Sequence, residues 1–287
     1  MNQRITDKIK EYFDQEILKT SNLSGGCISN VYKIELQNGK ILFLKINENE
    51  SDDMFLKEAH GLEELEKAQA IRIPKVLFAE NGFIVLEFIE NSHRSKNFFE
   101  DFGDKFAKLH KFTTEKFGFY EDNFIGSNPQ HNITNENEGE NWSAFYFNKR
   151  IMFQYKLAEQ NGYATDELRK GIKRLENKLD DILAGSEEKP SLLHGDLWSG
   201  NFMEDENGKP CLIDPAVYYG HREADLAMTK LFGGFSNDFY KSYNATFPLK
   251  AGYEYRENIY KLYHIMNHLN LFGGGYYSQV ISLINYY

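Results

Sequence analysis

Apolar residues at Ile5, Ile9, Tyr12, Phe13, Ile17 and Leu18 recur three and four positions apart, the period of a helix that buries one face. That spacing predicts an amphipathic helix over 5–18. The period then changes. VYKIEL (31–36) and ILFLKI (41–46) flank Gln37-Asn38-Gly39-Lys40, and an Asn-Gly between two apolar runs predicts a hairpin. Met54, Phe55, Leu62 and Leu65 restore the helical spacing and predict a helix over 52–68. KVLFAENGFIVLEFIE (75–90) repeats the hairpin pattern around Asn81-Gly82. The first ninety residues thus read helix, strand, strand, helix, strand, strand. Beyond them the segments 98–113, 143–160, 165–184, 221–232 and 255–271 read as helices. Short apolar stretches at Leu192–Leu193 and Cys211–Ile213 are the exceptions, and the polar HNITNENEGEN (131–141) reads as a surface loop.

This order predicts an α+β protein. A small β-rich lobe over 1–90 joins a larger helical lobe over 91–287, with a hinge near Phe88–Asn91. No internal repeat is visible. The formal net charge of -10 argues against a nucleic-acid partner. An anion would need a local cation, a metal ion or a helix N-terminus. Cys27 and Cys211 are the two cysteines, too few for a disulfide framework or a zinc site. The N-terminal stretch lacks the apolar core of a secretory signal, and no run of 18 apolar residues occurs, so no membrane partner and a cytoplasmic location are expected.

The chemistry concentrates in SLLHGDLWSGNF (191–202), where an apolar strand runs into His194-Gly195-Asp196 and Asn201 follows five positions after the Asp. Asp214 comes thirteen positions later, just beyond a second apolar run. D-x-x-x-x-N with a strand-flanked Asp beyond it is the layout of a kinase catalytic loop and its metal-binding Asp. Phosphoryl transfer needs a base at the acceptor hydroxyl and oxygen ligands that hold magnesium on the phosphates. Asp196 fits the base; Asn201 and Asp214 fit the ligands. Lys45, at the end of the third element, fits the cation on the nucleotide phosphates, and Glu58 on the next helix fits its carboxylate partner. Lys45 would equally suit an edge charge that protects a strand, and Glu63, Glu64 and Glu66 are rivals to Glu58. LSGGCISN (23–30) fits a phosphate loop, with Gly25 and Gly26 allowing close backbone approach and Ser24 and Ser29 adding hydroxyls. The order of these parts, more than any one of them, points to a kinase.

With GGCIS, FLKIN, MFLKEA, KFGF, LLHGDLWSGN, DPAVYYGHREADLA, FGGF and NHLNLFG in place, the chain resembles the fructosamine kinase (ketosamine-3-kinase) family over nearly its whole length. That family lies within the protein-kinase-like aminoglycoside phosphotransferase group. The resemblance implies a two-lobe protein-kinase-like fold and transfer of phosphate from ATP, with Mg2+, to the 3-hydroxyl of a ketosamine, which leads to deglycation. It implies Asp196 as base, Asn201 and Asp214 on the metal, Lys45 on the phosphates with Glu58 positioning it, and backbone groups around Glu87, Phe88 and Ile89 on the adenine. Trp198 would stack on the sugar, and His268 would lie in the substrate-side wall. His194 would brace the loop rather than act as acid or base, while Glu223, Asp225 and Asn267 remain open between support and substrate contact. Cys27, in the phosphate loop, is a candidate redox thiol, so a monomer or a homodimer crosslinked under oxidation are both expected forms. A kinase for an aminoglycoside, choline or plain sugar, and a nucleotide-binding regulator without turnover, are the alternatives. The substrate is expected as a small-molecule or protein-bound ketosamine.

Overall fold

The computed structural model describes residues 3–23, 30–47 and 53–287. The amino-terminal part is an antiparallel sheet between two helices. Helix α1 spans Gln3–Phe13; strands β1 (Ile17–Asn22), β2 (Asn30–Leu36) and β3 (Ile41–Ile46) follow, then α2 (Met54–Lys67), β4 (Val76–Glu80) and β5 (Phe83–Glu87). The sheet order is β1-β2-β3-β5-β4. Both Asn-Gly turns fall where the sequence predicts them, with Gly39 and Gly82 at positive φ.

Strand alternation decides which side chain meets which helix. Leu42, Leu44 and Ile46 of β3, with Phe83 and Val85 of β5, pack on Ile5 and Ile9 of α1. The intervening Ile84 and Leu86 face Phe55, Ala59, Leu62 and Leu65 of α2. Lys45, between Leu44 and Ile46 and paired in register with Ile84, therefore lies on the α2 side. It is a buried residue of a central strand, not an edge charge.

The first helix ends earlier than its apolar period suggests. Asp14 adopts φ +49 and the chain turns into β1, an edge strand beside β2. Ile17 still packs against the core that Ile5 and Ile9 enter, whereas Leu18 is exposed. One half-buried position on a strand thus extends the apolar spacing of the helix without extending the helix.

The carboxy-terminal part begins with α3 (Phe98–His110) and a small hairpin of β6 (Asn123–Ile125) and β7 (Asn128–Gln130). Short helices α4 (Glu136–Glu140) and α5 (Trp142–Phe145) lead through a π-helical turn, Tyr146–Ile151, into α6 (Met152–Gln160) and α7 (Asp166–Leu183). Then come β8 (Ser191–Leu193), β9 (Phe202–Glu204), β10 (Pro210–Leu212) and β11 (Tyr218–Gly220), followed by α8 (Glu223–Thr229), α9 (Asn237–Thr246), α10 (Tyr253–Phe272) and α11 (Tyr277–Ile284). The stretch 131–141 is not a plain surface loop. Asn132 and Glu138 are buried, and Asn135 and Glu138 close a capping box on α4, so its polar residues hydrogen-bond within the fold.

One apolar cluster joins the two parts. Phe55, Leu62 and Ile84 share it with Leu192, Leu197, Leu212 and Val217, which flank the histidine-bearing loop. Among the described residues, no helix is long and apolar enough to cross a membrane.

Candidate active site

The antiparallel pairing of β8 with β11 lays the loop after β8 against the loop before β11. The Ala216 amide donates to the His194 carbonyl at 2.8 Å, and the Ile213 amide to the Asn201 carbonyl at 3.1 Å. Gly195 sits at φ +83, and a Cβ there would run into the Ala216 carbonyl oxygen, so no other residue fits this crossing. His194 donates through Nε2 to the Ile213 carbonyl at 2.9 Å and accepts the Asp196 amide through Nδ1 at 3.3 Å. Burial holds its pKa below the ordinary histidine value. A neutral ring with both nitrogens committed is a brace, as the sequence suggests.

Asp225, near the start of α8, supplies the larger support. Its Oδ2 accepts the His194 amide at 2.7 Å and its Oδ1 accepts the Gly195 amide at 2.8 Å. His110 Nε2 donates to Oδ2 at 3.3 Å, while its Nδ1 accepts the Tyr243 hydroxyl at 2.6 Å. Burial opposes the Asp225 charge, but the His110 bond and the backbone donors outweigh it and hold the carboxyl below the usual range. Glu223, two residues earlier, does something else: it pairs with buried Arg256 through two bonds of 2.8 and 2.6 Å. Sequence reasoning leaves these two acids interchangeable; only the fold shows which one reaches the loop.

The braced loop brings Asp196, Asn201 and Asp214 together. Asn201 Nδ2 donates to the Asp196 carbonyl at 2.8 Å and to its Oδ2 at 3.2 Å. Asp214 has a left-handed backbone, φ +54, uncommon for a non-glycine residue. Lys45 Nζ donates to Glu58 Oε1 at 2.7 Å and also contacts Asp214 Oδ1, so four of the predicted residues form one chain from α2 to Asn201. Burial works against the Lys45 charge, yet the Asp214 and Glu58 carboxylates more than offset it and raise its pKa. Burial, then the Asp214 charge, pushes the Asp196 carboxyl well above the ordinary range. Two carboxylates that repel across a part-buried site are an oxygen donor set suited to a divalent cation. Asn201 would hold such an ion through Oδ1, because its Nδ2 is committed to Asp196.

Trp198 and His268 meet through Phe232 of FGGF, a residue to which the sequence assigns no role. Phe232, at φ +54 and 44% exposed, lies edge-on to Trp198 at 6.3 Å and 4.9 Å from the His268 ring. His268 also neighbours Phe272 and Tyr276. The aromatic strip starts two residues from Asp196. FGGF carried a signal for it: an aromatic beside two glycines, Gly233 and Gly234, both at positive φ. Asn267 faces elsewhere, its Oδ1 accepting Asn128 at 2.8 Å and Gln154 at 3.0 Å.

At the end of β5, where the sequence predicts a hinge, the Glu87 amide is spent on the Lys75 carbonyl at 2.9 Å, and Glu87 Oε1 accepts the Lys75 amide at 2.8 Å. Lys33 lies over the Phe88 ring, and Ile89 is buried. Gly25, Gly26, Cys27 and Ser29 lie outside the described residues. Cys211 is buried, and burial pushes its thiol up to about 12, which leaves it unreactive.

A part-buried lysine–glutamate pair, an HGD loop with its Asn, and a separate Asp on a strained turn define a phosphotransferase of the protein-kinase-like class. The same fold recurs in an aminoglycoside phosphotransferase bound to streptomycin and ATP, with a TM-score of 0.66 over 99% of this chain and 96% of that one, at 15% identity. The chain belongs to the fructosamine kinase family, whose model it matches over residues 1–287. A probable ketoamine kinase of Vibrio parahaemolyticus is 38% identical, covering 99% of this chain and 97% of that protein. The chloroplastic protein-ribulosamine 3-kinase of Arabidopsis thaliana is also 38% identical, over 98% and 87%. A solved Thermobifida fusca structure carrying the fructosamine-3-kinase name superposes with a TM-score of 0.89 at 28% identity, over 100% of this chain and 99% of that one.

Proposed function

We propose that the protein transfers the γ-phosphoryl group of ATP to the 3-hydroxyl of a ketosamine. The observation that carries the reading is the loop geometry. Asp196 is set on a turn fixed by Gly195, His194 and Asp225, and Trp198 stands beside it. In this reading the acceptor sugar stacks on Trp198 and presents its hydroxyl to the Asp196 carboxylate. The hydroxyl oxygen attacks the γ-phosphorus, its proton passes to Asp196, and ADP leaves with the bonding pair of the broken P–O bond. Lys45 grips the phosphates, and Glu58 keeps it aimed when the nucleotide replaces Asp214 as its partner. A magnesium ion held by Asn201 Oδ1 and Asp214 would supply charge neutralisation of the phosphates. The strip from Phe232 to Phe272 and Tyr276 would receive the amine portion, and its exposure suits an adduct on a peptide as well as a free one.

The test is ADP release with Mg2+ and ATP against ribulose-lysine, fructose-lysine, an aminoglycoside and choline. Turnover on a ketosamine that disappears in Asp196→Ala, with the acceptor KM raised in Trp198→Ala, is the expected result. Turnover on the aminoglycoside or choline alone would overturn the ketosamine assignment.

A further inference from the structure

Helix α2 carries Glu58, and in a two-lobe kinase fold such a helix can swing. Here it is fastened to the large lobe at three points. Glu121, in the loop before β6, accepts Lys57 Nζ at 2.6 Å and pairs with His60 Nδ1 at 2.7 Å. The Tyr219 hydroxyl on β11 donates to Glu64 Oε1 at 2.8 Å. Between them, the helix backbone at Gly61 settles on the segment after Asp214: a Cβ built there would lie 3.2 Å from Val217 Cγ2 and 3.7 Å from Pro215. Lys57, His60 and Glu64 follow the i, i+3, i+7 spacing of one helical stripe, and Glu58 and Gly61 form the adjacent one.

The two anchors are themselves joined. Gly118 and Tyr219 exchange backbone hydrogen bonds of 2.9 and 2.8 Å, so Glu121 and Tyr219 project from neighbouring strands of backbone. Tyr219 also lies five residues beyond Asp214, on the same short segment that carries Pro215 and Val217. The contacts close a ring: Glu58 to Lys45, Lys45 to Asp214, Asp214 along the chain to Val217 and Tyr219, and back to α2 through Gly61 and Glu64. A shift of α2 outward would break the Glu121, Tyr219 and Lys45 contacts together.

We infer that Glu121 and Tyr219 are positioning residues that lock α2 onto the large lobe and keep the Lys45–Glu58 pair assembled before nucleotide arrives. This rests on the reading of Lys45 as the phosphate-binding cation. Neither residue touches a reacting atom; each acts through α2.

The experiment measures Mg2+-ATP affinity by titration, the KM for ATP and for the acceptor separately, and hydrogen exchange of the α2 amides. The variant is Glu121→Leu with Tyr219→Phe, which roughly keeps size and removes the hydrogen-bonding groups of both anchors. The expected result is a nucleotide Kd and ATP KM raised about tenfold, an acceptor KM within about twofold of the parent, and faster exchange in α2 than in α3. A Kd unchanged within about twofold would overturn the inference, as would a parallel rise in both KM values with a lowered melting temperature, which is general loosening. If that variant fails to fold, Lys57→Met with His60→Leu makes the same test of the Glu121 anchor from the helix side. Lys45→Ala separates the two ideas. If it keeps the parent affinity, the Lys45 reading falls and the lock falls with it. If it loses affinity while the anchor variants do not, the lock alone is wrong.

Discussion

Replacing Asp225 by Asn keeps the shape of the buried brace and removes its charge. The carboxylate accepts two loop amides, from His194 at 2.7 Å and Gly195 at 2.8 Å, and is 1% exposed. Hydrogen bonds to a charged group are each worth roughly 1.5–3 kcal/mol, and an unpaired buried donor costs about 1–3 kcal/mol. Asn offers one acceptor oxygen and turns an NH2 toward the other amide, so one bond is lost and one donor is stranded. The expected destabilisation is about 2–4 kcal/mol. At about 2 °C per kcal/mol for a chain of this size, the melting temperature should fall by about 4–8 °C. The loop that carries Asp196 shifts as well, and a displacement of about 1 Å costs about a hundredfold in rate. Thermal melting and ADP release read the two effects, and kcat should drop while both KM values stay near the parent. A variant that melts within about 1 °C of the parent with unaltered kcat would refute the brace. The folded pKa of Asp225 lies below its ordinary 3.8, so its contribution is complete above that pH and is lost as pH falls through the folded value. The substitution should therefore flatten the acid end of the stability curve and leave the neutral region uniformly lower.

Gly195→Ala puts a methyl group onto the Ala216 carbonyl at a left-handed position; a loss of about 2–4 kcal/mol should appear as a lowered denaturant midpoint, with kcat falling more than Asp225→Asn produces. His264, buried with an unpartnered Nδ1, is held by burial at about 3 against an ordinary 6.5. The unfolded chain binds its proton first, so stability drops as pH falls from 6.5 toward 3, by about 2 kcal/mol at pH 5 from this residue alone. His264→Gln should remove that slope in urea titrations run at pH 7 and pH 5.

Most of the candidate site is legible in the sequence because the proposed phosphoryl transfer asks for particular residue types in a particular order along the chain. Lys45, Glu58, Asp196, Asn201 and Asp214 converge as their order implies. The strands flanking Asn38-Gly39 and Asn81-Gly82 are legible because a turn residue at positive φ is a local requirement. What the sequence hides is set by distant partners. Glu223 and Asp225 are both acids at the start of one helix, and only the fold of α8 over the loop sends Asp225 to the His194 and Gly195 amides and Glu223 to Arg256. β6 and β7 are three residues each, too short for a period of two to register. Asn132 and Glu138 look solvent-facing by type and are buried because Arg150, Asn123 and Asn148 meet them.

Asp196 and Asp214 lie on facing loops and Asp225 on the helix α8 that braces them, and each negative charge is met in a different way. Asp225 is stabilised by hydrogen bonds from two backbone amides and His110, which nothing displaces during a reaction cycle. Asp214 is met by Lys45, the same group that a nucleotide would draw away. Asp196 has the Asn201 amide alone among the described side chains, and its carboxyl rises accordingly. Drawing Lys45 onto phosphate without supplying another cation would leave Asp214 facing both Asp196 and the incoming anion. Nucleotide binding should therefore depend on the divalent ion. Mg2+-ATP at about a hundred times its Kd should stabilise the fold by about 2.7 kcal/mol, a melting shift of about 5 °C. ATP with a chelator at the same concentration should shift it by less than half as much, and Asp214→Asn should narrow the gap between the two. Equal shifts with and without the ion would show that Lys45 alone satisfies the phosphates, and that the Asn201–Asp214 pair holds no metal.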